Sequence, residues 1–226
     1  MEKIDIVEKI GNKEITALDI AKNVIRDPSL LPEIFNGIRS ENSRIRFKSA
    51  KIIRAISEKN PEILYSKMDF FIDLLDSENK ILKWIAIDVI GNLTSIDSKN
   101  KFDKIFKKYY SFLLAESMIT VAHTIDNSGK IAKARPHLTQ MITSELLKIE
   151  KIPTKQHLTQ ECKNILLGKV ILAFGMYFDQ IENKDSVISF VKRQLNNTRN
   201  ATKAKAEKFL KRIEKLQIQK PLRNLN

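Results

Sequence analysis

Of the 226 residues, 42% are hydrophobic and 30% charged, a balance that excludes a disordered chain and a membrane-embedded one. Lys and Arg outnumber Asp and Glu by 40 to 27, a net charge of +13. That excess points toward acidic partners such as nucleic acid or an anionic surface, although lysine-rich solvated helix faces produce it as well.

Six glycines and six prolines are few for a β protein, and apolar residues recur at spacings of three and four along nearly the whole chain. In chain order this spacing predicts a short N-terminal pair over Glu2–Ile10 and Glu14–Ile25. Pro32–Arg39 with Ser43–Glu58 and Pro61–Leu75 with Asn79–Thr94 follow. Next come Lys101–Leu114 with Glu116–Asn127, then Pro136–Ile149 with His157–Phe178. Lys184–Leu195 and Thr198–Leu216 close the chain, and 220–226 reads as a loose tail. No proline interrupts an amphipathic run, as expected where proline marks helix starts and loops. Asn36-Gly37 would make a hairpin turn between strands, but Ile34-Phe35 and Ile38 keep helical spacing around it.

A period runs through these pairs. A shift of 37 positions carries Leu31–Ile56 onto Met68–Leu93 and the triplet Ser40-Glu41-Asn42 onto an identical Ser77-Glu78-Asn79. Leu31, Ile34, Phe35 and Ile38 fall on Met68, Phe71, Ile72 and Leu75. Ile45, Ala50, Ile52, Ile53 and Ile56 fall on Leu82, Ile87, Val89, Ile90 and Leu93. Apolar positions keep their places while most surface positions do not, as stacked copies of one unit require.

Ile45-Arg46 with Ser49-Ala50, Leu82-Lys83 with Ala86, and the glycine at Gly91 resemble the HEAT repeat, a relative of the armadillo repeat. The resemblance is sharp over residues 31–93 and architectural elsewhere. It implies an all-α fold: a right-handed α-α superhelix, a HEAT-like solenoid, of about five to six antiparallel helix pairs forming a single domain over 1–226. It also implies that second helices line the inner surface. Ile165–Phe174 then reads as a buried interior helix, with Gly168 and Gly175 marking close helix approach.

Two clusters carry the expectation of a binding surface. Arg44, Lys48 and Lys51 share one side of a second helix, with Arg54 nearby. Phe47 lies on its non-core side, and Trp84 occupies the matching position one repeat on. In the closing helix Lys205, Lys208 and Arg212, among other cations, border the apolar stripe Ala206, Phe209, Leu210 and Ile213. The bland alternatives are a solvated cap for the closing helix and aromatics tucked under a neighbour. Arg44, Phe47, Lys48, Lys51, Trp84, Lys205, Lys208 and Arg212 thus form the candidate partner-binding surface.

Chemistry has less to rest on. His123, His137 and His157 do not pair at metal-ligand spacing, and no nucleophile elbow or Gly-rich phosphate loop occurs, so no catalytic residue, metal or cofactor is assigned. Cys162, the one cysteine, rules out an internal disulfide. The charged start Met1-Glu2-Lys3-Ile4-Asp5 lacks a leader's apolar stretch, so the expected location is the cytoplasm. The longest apolar run, Ile165–Phe178, is interrupted by Lys169 and falls short of the roughly 20 residues of a membrane span. The expected function is a non-catalytic scaffold for a protein partner. The alternative is nucleic-acid binding, with an enzymatic version: the HEAT-like alkylpurine DNA glycosylases are also small and basic, and Trp84 with Asp88 superficially resembles their aromatic-plus-carboxylate pocket.

Overall fold

The computed structural model describes residues 16–223, with side chains to residue 215. The first predicted helix, Glu2–Ile10, lies outside the described residues. Among those described, the fold is all helical: α1 (Ala17–Arg26), α2 (Leu31–Arg39), α3 (Ser43–Lys59), α4 (Glu62–Tyr65), α5 (Met68–Leu74) and α6 (Lys80–Leu93) come first. They are followed by α7 (Lys101–Ser111), α8 (Met118–Ala134), α9 (Thr139–Leu147), α10 (Gln160–Tyr177), α11 (Lys184–Arg193) and α12 (Asn200–Arg223). The chain divides into two compact units, Met1–Tyr109 and Tyr110–Asn226, the division falling within α7.

The repeated triplet explains its own conservation of form. The Asn42 side chain accepts from the backbone N–H groups of Arg44 and Ile45, and Asn79 does the same for Ile81 and Leu82. The backbone N–H groups of Asn42 and Asn79 in turn donate to the Ser40 and Ser77 hydroxyls at 3.2 Å. The same three residues therefore start α3 and α6 in the same way. Thr16, Thr159 and Asn183 cap α1, α10 and α11 by the same chemistry.

In the first unit α3 packs against α1, α2 and α6, and α5 against α6. Ile52, Ile53 and Ile56 of α3 and Ile87, Val89 and Ile90 of α6 are fully buried. Polar ties run between successive first helices. Tyr65 donates to Asp97 at 2.9 Å, and Lys101 and Lys108 pair with Asp69 and Asp76 at 2.6 and 2.7 Å. All three ties span 32 residues. Asp97 also accepts from the backbone of Lys101 and Phe102, so one buried carboxylate both starts α7 and holds the preceding pair. In the second unit α10 packs between α8 and α12, with Phe174 edge-on to Phe190 at 5.8 Å.

Three boundaries differ from the periodicity. The predicted Pro61–Leu75 helix breaks into α4 and α5 because Lys67, at φ −103° and ψ 11°, leaves the helical region. α8 continues to Ala134, past the polar Asn127-Ser128-Gly129, because these residues are satisfied locally: Asn127 and Ser128 donate to the His123 and Thr124 carbonyls one turn back. α12 is helical to Arg223, so the tail expected from residue 220 is helix as far as 223, and 224–226 lie outside the described residues.

Gly37 is a close-approach residue rather than a turn residue; a Cβ there would lie 2.1 Å from Ser49 Oγ of α3. Ser49 is buried and among the described residues its hydroxyl has no hydrogen-bond partner, so it serves as a spacer. Gly37→Ala should cost about 1–3 kcal/mol through overpacking. Thermal unfolding would register this at roughly 2–4 °C per kcal/mol. Ser49→Ala, close to neutral alone, should restore much of the loss when added to Gly37→Ala.

Candidate functional site

The basic cluster predicted on α3 is present in the first unit. α3 buries Ser49, Ala50, Ile52, Ile53 and Ile56, which leaves Arg44, Phe47, Lys48 and Lys51 on the opposite side at helical spacing. Phe47 is 45% exposed, and the Lys51 ammonium stands 4.3 Å from its ring centroid. Burial first, and the Arg44 charge second, lower the Lys48 ammonium from the ordinary lysine value. Trp84, the equivalent residue on α6, is only half-buried, so the two matching aromatics have different settings.

Arg54 is committed elsewhere. Its Nε lies 3.2 Å from Glu58 and 3.3 Å from Asp88 of α6. One turn further along, Asn92 donates to the Ser57 hydroxyl at 2.9 Å. These bonds form a polar seam between α3 and α6. Asp88, which the glycosylase reading would need as a reactive carboxylate, is 4% exposed in that seam. On the other side of this unit, α2 and α5 leave a cleft of about 390 Å³ walled by Leu31, Phe35 and Phe70. Arg39 stacks 5.1 Å over the Phe70 ring.

The second unit carries the other predicted residues. Lys205, Lys208 and Arg212 run along α12 beside α10. Arg212 donates to the Gly175 carbonyl at 2.8 Å, and Lys208 is exposed. Lys205 lies against Gly168, where a Cβ would be 3.2 Å from its Nζ and 2.8 Å from Thr202 Oγ1. Gly168 is therefore the close approach that the sequence predicts. At Gly175 the nearest atom, on Phe209, is 3.8 Å away, an ordinary contact, so the same expectation fails there. Lys169 of α10 pairs with Asp126 of α8 at 2.5 Å, and Arg199 pairs with Glu161. Burial first, then the charges of Lys169 and Arg199, push the Lys205 ammonium below the ordinary lysine value of 10.5, with Asp126 opposing. The cations of α3 and those of α12 belong to different units.

Periodicity missed two features here. Leu172, read as interior, is 54% exposed, and Met176 one turn on is 44% exposed. They follow Lys169 at three and seven residues, opposite the buried Leu167, Val170 and Phe174, and that spacing was the available signal. The connection over 152–159 roofs a cavity of about 290 Å³ lined by Leu113, Leu114, Ile149, Leu158 and Leu166. His137 and His157 are exposed, and His123 is half-buried on α8. Among the described residues no group of three or more His, Cys, Asp or Glu side chains is arranged to hold a metal ion, and no helix is long and apolar enough to cross a membrane.

No family model matches the chain. A stretch of 92 residues, 41% of this chain, is 26% identical to an uncharacterised protein of Methanocaldococcus jannaschii and covers 44% of that relative, less than half its length. A crystal structure of an engineered protein from the Northeast Structural Genomics Consortium matches 94% of this chain and 98% of its own, with a TM-score of 0.54 at 16% identity. That likeness is one of fold alone.

Two measurements check the site geometry. Asp88→Ala should lower stability by roughly 1–3 kcal/mol, since it strips the α3–α6 seam of a buried acceptor; thermal unfolding reads the loss. Lys205→Met keeps the aliphatic stem and drops the charge, so at neutral pH it should raise the melting temperature. The sign follows from the lowered folded-state value. Between that value and 10.5 the unfolded chain holds more protons, so the stability of the unaltered protein rises with pH across this window. The advantage of the variant should therefore shrink toward pH 10.5. A destabilised Lys205→Met at neutral pH would mean that Asp126 outweighs burial.

Proposed function

We propose that the chain is a non-catalytic binding array, a HEAT-like solenoid of stacked helix pairs whose second helices present a face to a polypeptide partner in the cytoplasm. The solenoid reading is supported by the seams within each unit. Equivalent elements are tied at separations of 32 residues on first helices and of 34 and 35 on α3 and α6, close to the 37-residue period. A helix pair of that size cannot bury both flanks alone, and stacking on a neighbour covers one of them.

The observation that carries the binding reading is Phe47. It projects from α3 with nearly half its surface in water, between Arg44, Lys48 and Lys51. Aromatic side chains and arginine are what protein interfaces concentrate at their centres. The same residue types also occur on nucleic-acid surfaces, in which an aromatic ring stacks on a base. The Lys51 ammonium over the Phe47 ring occupies one of the faces a base would need, and so favours the polypeptide. For the glycosylase version, the seam position of Asp88 against Arg54 leaves little carboxylate surface for a substrate.

A photo-crosslinking residue at position 47 should capture polypeptide, and Lys48→Glu with Lys51→Glu should abolish the capture. Labelled DNA and RNA should bind weakly, with affinity collapsing between about 50 and 200 mM salt. Methylated DNA should release no base. Crosslinks chiefly to nucleic acid would overturn the reading, as would base release that is lost in Asp88→Asn.

A further inference from the structure

We infer that the outward face of α10 is a docking site for an acidic amphipathic helix of a partner protein. Leu172 and Met176 would receive its apolar side chains, and Lys169, Lys205, Lys208 and Arg212 its carboxylates. This rests on the polypeptide-binding reading above and names a second face, in the other unit, together with the chemistry that fits it.

The face has an apolar centre and a cationic rim. Leu172 and Met176 are one helical turn apart, about 6 Å along the axis, the spacing at which two side chains of a partner helix present themselves. Both are exposed although α10 is flanked by α8 and α12 and Leu166, Leu167, Val170, Ile171 and Phe174 are buried. The neighbouring backbones come close enough to make the face shallow. Met176 lies over Gly129 of α8, where a Cβ would sit 2.5 Å from the sulfur, and Lys205 lies over Gly168.

The rim is positive by construction. Arg212 is fixed to the Gly175 carbonyl, Lys205 stands beside Gly168, and Lys208 falls between them on α12. On the α8 side, Asp126 answers Lys169. Burial first, and then the charges of Lys169 and Arg199, disfavour the Lys205 ammonium, and an incoming carboxylate would offset the repulsion from those two cations. An exposed aliphatic pair offers nothing to a phosphodiester backbone, whereas leucine-type side chains flanked by Glu or Asp complement both parts of the face. An acidic peptide is therefore favoured over an oligonucleotide.

The test uses the full chain and a fluorescent helical peptide with leucines at positions i and i+4 flanked by Glu and Asp. Its controls are the same peptide with both leucines replaced by serine, a polyglutamate of equal charge, and an oligodeoxynucleotide of equal charge. The leucine peptide should bind tightest by fluorescence anisotropy. Leu172→Ser and Lys205→Met should each weaken it by about fivefold or more while the melting transition is retained. The inference is overturned if the leucine peptide does not bind, if Leu172→Ser leaves binding unchanged, or if polyglutamate or the oligonucleotide binds equally well. Polypeptide crosslinks at position 47 separate the two failures. If they persist, only the α10 face is lost; if they are absent too, the binding reading falls with it.

Discussion

An amphipathic helix can bury its apolar side only against other helices, so each core helix depends on several neighbours at once. That constraint governs both units. α3 is covered by α1, α2 and α6, and α10 by α8 and α12, which is why Ile52, Ile53 and Ile56 of α3 and Leu166, Val170, Ile171 and Phe174 of α10 reach zero or near-zero exposure. Apolar stripes alone would let neighbouring helices slide. Polar ties at fixed points remove that freedom: Arg54 to Asp88, Asn92 to Ser57, Tyr65 to Asp97, and in the second unit Asn164 to Thr198 and Thr202 to the Asn164 carbonyl.

The same ties divide the cations. Composition counts Arg54, Lys101, Lys108, Lys169 and Arg193 together with Lys51 and Lys208, yet the first five each face a carboxylate of a neighbouring element. Most are exposed pairs of small energetic value that fix register more than they add stability. Other cations stand near exposed apolar residues: Arg44, Lys48 and Lys51 share a side of α3 with Phe47, and Lys205, Lys208 and Arg212 lie on α12, which packs against the helix that carries Leu172. The net charge of the chain is thus less informative than its placement.

How far the sequence could be read depended on the range of the force involved. The Ser-Glu-Asn triplets were legible because a cap is made within four residues. The α3 cluster was legible because helical spacing decides which side faces out. The continuation of α8 was hidden, since Asn127 and Ser128 look like a helix end until their bonds one turn back are seen. Leu172 was hidden because an apolar run of that length reads as interior on every side, whereas its exposure is set by α8 and α12, some 30 to 50 positions away in the chain. The unequal settings of Phe47 and Trp84, and of Gly168 and Gly175, arise in the same way: equal local patterns meet unequal neighbours.

The joints between pairs have a further consequence. Ties in the second unit span 43 residues at Asp126–Lys169 and at Glu150–Arg193, but 37 at Arg212–Gly175. The surplus is taken up in the connection over 152–159, while carboxylate-to-cation contacts of the same kind persist on either side. Residues added or removed in that connection leave these contacts in place, so the loop carries the slack in chain length and the helices carry the register.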